Sequence, residues 1–172
     1  GDGRHAMVTT SQGFQLLDVQ EPALTDLVVP AAAAGHVVSH GGKTVLYDDA
    51  TSDTTIFDSA ALAEAEGALP EAEVIPGVTA HHGVSVELED GSLLTTVGDE
   101  AGRSGIRILD ADRQEIASND DCPGVHGEGT AKDETVVFGC ENGALVVKDG
   151  EITKLDAPDE YGRIGNAYVS ET

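Results

Sequence analysis

A unit of four short strands recurs along this chain, and that recurrence constrains the fold more than any other feature. One copy reads "HGVSVELEDGSLLTTVGDEAGRSGIRILDADRQEIASND" and the next "HGEGTAKDETVVFGCENGALVVKDGEITKLDAP". An earlier copy reads "GHVVSHGGKTVLYDDATSDTTIFDSAALAEAEGALPEAEVIPG". Each opens on His with Gly and a first strand. A polar turn, a β-rich second strand, an acidic turn, and third and fourth strands follow. The marking histidines, His36, His82 and His126, stand 46 and 44 residues apart.

Short runs rich in Val, Ile, Thr and Phe, separated by Gly, Asp and Asn, read as antiparallel hairpins. Four strands per unit at this spacing predict a β-propeller blade. A β-sandwich also has short strands, but does not repeat in this way. The expected fold is all-β: a β-propeller segment over residues 1–172, with about four blades of four-stranded antiparallel sheets, part of a larger propeller. The blades are expected at about 3–30, 35–77, 81–119 and 125–157, with a partial first strand at 163–172. The opening "GRHAMVTTSQGFQLLDVQEPALTDLVVP" reads as strands two to four of its blade. Both ends then fall mid-blade, which favours a piece of a longer chain over closure by pairing "NAYVSE" beside "RHAMVTT". The stretch "DSAALAEAEGAL", 58–69, reads either as a short helix capped by Asp58 or Ser59 or as a solvated loop.

Charge narrows the partners. Nine Lys and Arg oppose 32 Asp and Glu, a formal net charge of −23. With no basic cluster to neutralise phosphates, neither nucleic acid nor an anionic membrane surface is an expected partner. Nor does a run of about 18 apolar residues occur, so no membrane insertion is expected. The acidity suits cations and basic partners, or reflects a source whose proteins are acidic in general.

The repeat register carries the chemistry. In a blade the second strand returns beside the first, so the turn after it lies at the end where the first begins. His36, His82 and His126 all stand at the start of first strands, in successive blades, and should ring one mouth of the channel. Glu128 follows His126 by two residues and is expected on the same side of its strand. The acidic turns carrying Asp48, Asp49, Asp99, Glu100 and Glu141 are expected at that end too. Three imidazoles and a carboxylate suit Zn²⁺, though imidazole also suits Cu²⁺ and Ni²⁺. The expected metal set is His36, His82, His126 and Glu128, with His81, His40 and Asp99 as secondary candidates. His5 is read as a solvated or partly packed residue. Without metal-ligating roles, all of these histidines would be ordinary turn residues. Cys122 and Cys140 are expected at the same end of their blade. They suit a disulfide, which would place the chain in an oxidising compartment; two thiolate ligands or two free thiols are the alternatives.

"HHGVSV", "GIRILDADRQEI", "CPGVHGEGTAKDETVVFGCENG" and "GHVVSHGGKTVLYDDATSDTTIFDSAAL" resemble the AztD-type periplasmic zinc metallochaperones, most strongly from about 78 to 150. The resemblance implies a β-propeller, a periplasmic or extracellular location, and zinc held by His36, His82, His126 and Glu128. It further implies transfer of zinc to the periplasmic solute-binding protein of an ABC zinc importer. Members of that family are longer, with an N-terminal His/Asp-rich segment that has no counterpart here. The chain is therefore expected to be a metal carrier and not an enzyme. The rivals are a metal-dependent hydrolase with Glu128 or Asp99 as base, and a protein-binding propeller in which the histidines are incidental.

Overall fold

Fifteen strands organise the described residues of the computed structural model, which are 3–64 and 67–170. They form four antiparallel sheets in chain order. The first holds β1 (His5–Thr10), β2 (Gly13–Asp18) and β3 (Ala23–Pro30). The second holds β4 (Ala34–His40), β5 (Lys43–Asp48), β6 (Asp53–Asp58) and β7 (Glu73–Ile75). The third holds β8 (Ser85–Glu87), β9 (Leu93–Asp99), β10 (Gly102–Leu109) and β11 (Glu115–Asn119). The fourth holds β12 (His126–Thr130), β13 (Val136–Gly139), β14 (Gly143–Lys148) and β15 (Glu151–Asp156). In each sheet, strands adjacent in sequence are adjacent in space. The chain divides into two compact units, one ending at Ser85 and the other beginning at Val86.

Turn chemistry explains the hairpins. Gly41 and Gly42, with φ of 53° and 79°, form the two-residue loop between paired His40 and Lys43. Asp149 and Gly150, with φ of 51° and 78°, do the same between Lys148 and Glu151. Two successive positive φ values make the primed turn whose twist matches the flanking strands.

Burial follows the order of strands within a sheet. In the first unit Phe14 and Leu16 of β2, Leu46 of β5, Phe57 of β6 and Leu62 form one apolar cluster. In the second unit Leu93, Leu94, Ile106, Ile108, Val136, Phe138, Leu145 and Val147 are buried on the second and third strands. The fourth strand β15 is largely exposed. Second strands are covered on both faces, and so read as near-continuous apolar runs.

Three features differ from the sequence reading. The opening strands are not strands two to four. The strand covered most fully is β2, as expected of a second strand, and β1 lies beside β4, the first strand of the next sheet. This sheet therefore contains strands one to three, and His5 begins a first strand. Local pattern cannot number a strand within its sheet, which caused the misassignment. Next, the expected strand at 163–172 has no strand structure over 163–170; 171 and 172 lie outside the described residues. Gly162 and Ile164 donate backbone hydrogen bonds to the Glu141 and Cys140 carbonyls. Finally, the open question at 58–69 is answered by a short 3₁₀ helix at Ser59–Glu64. The Asp58 carboxylate accepts from the Ala60 N–H at 2.9 Å, and Leu62 turns into the core.

The start of β1 is tied to the end of β2 by charge. Arg4 donates to Asp18 Oδ2 from Nε at 2.8 Å and from Nη2 at 2.6 Å. The Gln20 and Glu21 amides donate to Oδ1. The guanidinium first, then these amides, lower the Asp18 carboxyl from 3.8 to about 2, against the opposing effect of burial. A lowered carboxyl pKa contributes stability above the unfolded value, and that contribution disappears as pH falls through about 2. In Arg4→Ala, NMR titration is expected to show Asp18 moving up toward 3.8; an unmoved value would place the cause elsewhere.

Candidate metal centre

Two histidine-bearing strand starts in this fold carry β-bulges. In β4, Ala34 pairs with Asp48 and Val37 with Leu46, so the register slips across Gly35 and His36. In β12, His126 pairs with Gly139 and Glu128 with Phe138, with Gly127 at φ 68° as the extra residue. A bulge adds one unpaired residue and re-aims the side chains around it. Glycine at 127 permits that backbone without the clash a Cβ would bring at positive φ.

In the first unit the bulge at 35–36 and the loop before β8 bring two candidates together. The rings of His36 and His82 have centroids 5.1 Å apart, tilted by 48°. Both are half-buried. They lie beside an open hollow of about 570 Å³, lined also by Met7, Gly35 and Asp49. His82 Nδ1 is 2.6 Å from Asp49 Oδ2, while Asp49 Oδ1 accepts from the Gly83 N–H at 3.2 Å. Asp49 follows β5, so this contact fulfils the expectation that an acidic turn after a second strand reaches the histidine end.

The adjacent histidine does different work. His81 Nε2 lies 2.9 Å from the Tyr47 hydroxyl, and its Nδ1 is 2.7 Å from the Thr79 carbonyl and 3.0 Å from Ser52 Oγ. Ser52 Oγ also donates to the Thr79 carbonyl and accepts from the His81 amide. With both ring nitrogens engaged by protein groups, His81 ties down the loop that carries His82. His40 is at the opposite end of β4 from His36, paired with Lys43 beside the turn. Four residue steps along the strand separate the two, about 13 Å at the usual rise.

In the second unit, His126 Nδ1 is 2.8 Å from the Gly165 carbonyl oxygen. The Glu128 carboxylate accepts from the Thr130 hydroxyl at 2.7 Å. The bulge interrupts the alternation between 126 and 128, so period-two spacing does not put these two side chains on one side. Asp99 receives the Ala101 and Gly102 amides at 2.7 and 3.2 Å and stabilises its own turn.

Cys122 and Cys140 form a disulfide with Cα atoms 4.8 Å apart, both fully buried. It joins the loop before β12 to the residue after β13. The loop is also held by the Cys122 and Gly124 amides, which donate to the Ser104 and Arg103 carbonyls. Thiolate ligation is thereby excluded for these two, and the ligands available around His126 are nitrogen and oxygen.

The class defined by these sheets is an all-β protein of β-propeller blades. No family model matches the chain. Among characterised proteins it is similar to the zinc chaperone AztD of Citrobacter koseri, 26% identical over 134 residues. That alignment covers 76% of this chain and 31% of the relative. The structure of apo AztD from Citrobacter koseri superposes with a TM-score of 0.76 at 21% identity, covering 94% of this chain and 49% of that one. A crystal structure of Citrobacter koseri AztD gives 0.71 at 22% identity, covering 95% and 45%. The chain thus spans about a third of the curated relative and about half of each solved chain. At this identity the structural likeness is one of fold, and it agrees with the propeller expected from the repeat. Among the described residues, no helix is long and apolar enough to cross a membrane.

The disulfide closes a loop of 18 residues. Cys122→Ser/Cys140→Ser is expected to lose about 3 kcal/mol of unfolding free energy, read from denaturant midpoints. Unchanged midpoints would mean that the loop's backbone hydrogen bonds suffice.

Proposed function

We propose that this chain supplies the zinc-holding part of a metallochaperone, with His36, His82 and His126 as the ligands. The carrying observation is the close approach of His36 and His82, both at positions the repeat shares with His126. The similarity to a protein named as a zinc chaperone supports zinc as the cargo. The chemistry of the donor set agrees. Imidazole nitrogen is a normal zinc ligand, and three protein ligands leave a fourth tetrahedral position.

An open fourth position suits a carrier. A donor from an acceptor protein can enter there, after which the imidazoles are released one at a time. Glu128, named in the sequence reading as a fourth ligand, has one oxygen engaged by Thr130 and is assigned a lesser part in this proposal. A carrier of this kind has no bond to break in its cargo, so the proposed role is not that of an enzyme. The acceptor proposed is the solute-binding protein of an ABC zinc importer, and the location the periplasm or outside the cell. A buried disulfide is compatible with such an oxidising compartment. The net charge of −23 would favour a basic docking surface on the acceptor.

Zinc titration of the non-reduced protein against a chromophoric chelator tests the reading. About one ion is expected to bind tightly. Alanine at His36, His82 or His126 is expected to weaken binding more than about 100-fold, beyond the 10–100-fold typical of losing an outer-shell partner. His5→Ala should change affinity less than about two-fold, and Glu128→Gln less than about ten-fold. Equal losses at His5 and His126, or no tight binding by the wild type, would overturn the proposal.

A further inference from the structure

We infer that Asp49 and the Gly165 backbone carbonyl are positioning groups that commit Nε2 of His82 and of His126 to the metal. The inference rests on the metallochaperone reading above and concerns which ring nitrogen is presented.

A neutral imidazole carries its proton on one nitrogen and a lone pair on the other, and the partner of one decides the state of both. A carboxylate or carbonyl only accepts. His82 Nδ1 faces Asp49 Oδ2 at 2.6 Å, so Nδ1 donates and Nε2 keeps the lone pair. His126 Nδ1 faces the Gly165 carbonyl at 2.8 Å, with the same consequence. The same logic disposes of His81. Its Nδ1 donates to the Thr79 carbonyl, and the Tyr47 hydroxyl donates to the Nε2 lone pair that a metal would need.

Two glycines show that both acceptors occupy places kept for them. A Cβ on Gly35 would stand 2.3 Å from Asp49 Oδ1 and 2.9 Å from its carboxyl carbon. A Cβ on Gly127 would stand 2.7 Å from the Gly165 oxygen that receives His126. Each glycine lies in a bulge, next to the histidine in its own strand. The β12 bulge therefore leaves room for the carbonyl that orients its own His126, and the β4 bulge, which carries His36, leaves room for the carboxylate that orients His82. Asp49 is itself pinned by the Gly83 amide on its second oxygen, so it spans the His82–Gly83 peptide and cannot swing freely. Such acceptors fix ring orientation and raise ligand basicity at metal sites in general.

Long-range ¹H–¹⁵N NMR correlation on the metal-free protein, at a pH where the imidazoles are neutral, reads the tautomers directly. His82 and His126 are expected as Nδ1–H. In Asp49→Ala, His82 is expected to shift toward Nε2–H and zinc affinity to fall about 10–100-fold, with the His126 signature unchanged. Asp49→Asn retains an acceptor oxygen and should lie between wild type and alanine. Gly35→Ala should reproduce the His82 change with Asp49 still present, and Gly127→Ala should shift His126 alone. Dispersed amide spectra confirm that each variant is folded. An Nε2–H tautomer at His82 in a wild type that binds zinc overturns the positioning role and spares the metal reading. So does Asp49→Ala with affinity within about two-fold of wild type. A wild type that takes up no zinc overturns the metal reading, and this inference falls with it.

Discussion

Antiparallel pairing of first and second strands is the constraint on which the site depends. It brings the end of one strand beside the start of the other, however far the loop between them travels. Asp49 ends the β5 hairpin arm at the level where β4 begins, and it reaches His82 at the entry to the next sheet. Asp18 stands at the same level in the first sheet and binds Arg4. Cys140 stands there in the fourth and is bonded to Cys122. Three different chemistries, a hydrogen-bonded carboxylate, an ion pair and a disulfide, thus fasten the same corner of the repeating unit.

The corner needs fastening because of what it carries. Each histidine interrupts or precedes a regular ladder, so the ladder alone does not fix its ring. At His126 a bulge releases one residue from pairing and the Gly165 carbonyl on Nδ1 orients the imidazole, while His82, ahead of its strand, is oriented by Asp49. Holding a ring in this way suits a ligand that must be ready before metal arrives, since less ordering remains to oppose binding. Because both cysteines are consumed by the clamp, the donors left around His126 are nitrogen and oxygen.

Much of the fold was legible because its causes are local. Alternating apolar residues, Gly-Gly and Asp-Gly turns, and a recurring His-Gly marker each act over a few residues, and together they predicted sheets two to four nearly strand by strand. The metal candidates were legible by register for the same reason. The failures lie where a decision needs a neighbour. Numbering the opening strands required β4 beside β1. The supposed shared side of His126 and Glu128 failed at Gly127, where one residue at positive φ changes the alternation. The role of Asp49 had a signal in "YDD" after a second strand and in the glycine of "GHVV", but only the close approach of Asp49 to Gly35 connects the two.

The sequence by itself determined the repeat, the all-β class and the places of His36, His82 and His126 within their units, and it offered a disulfide as one of three states for the two cysteines. Tertiary structure decided between neighbours that the sequence cannot rank. His81 and His82 are identical in type and adjacent, yet one ring meets Tyr47 and Thr79 through its two nitrogens while the other turns Nδ1 to Asp49. The physical reason is that a hydrogen-bond partner is chosen by distance and direction, and those come from strands brought together across more than thirty residues.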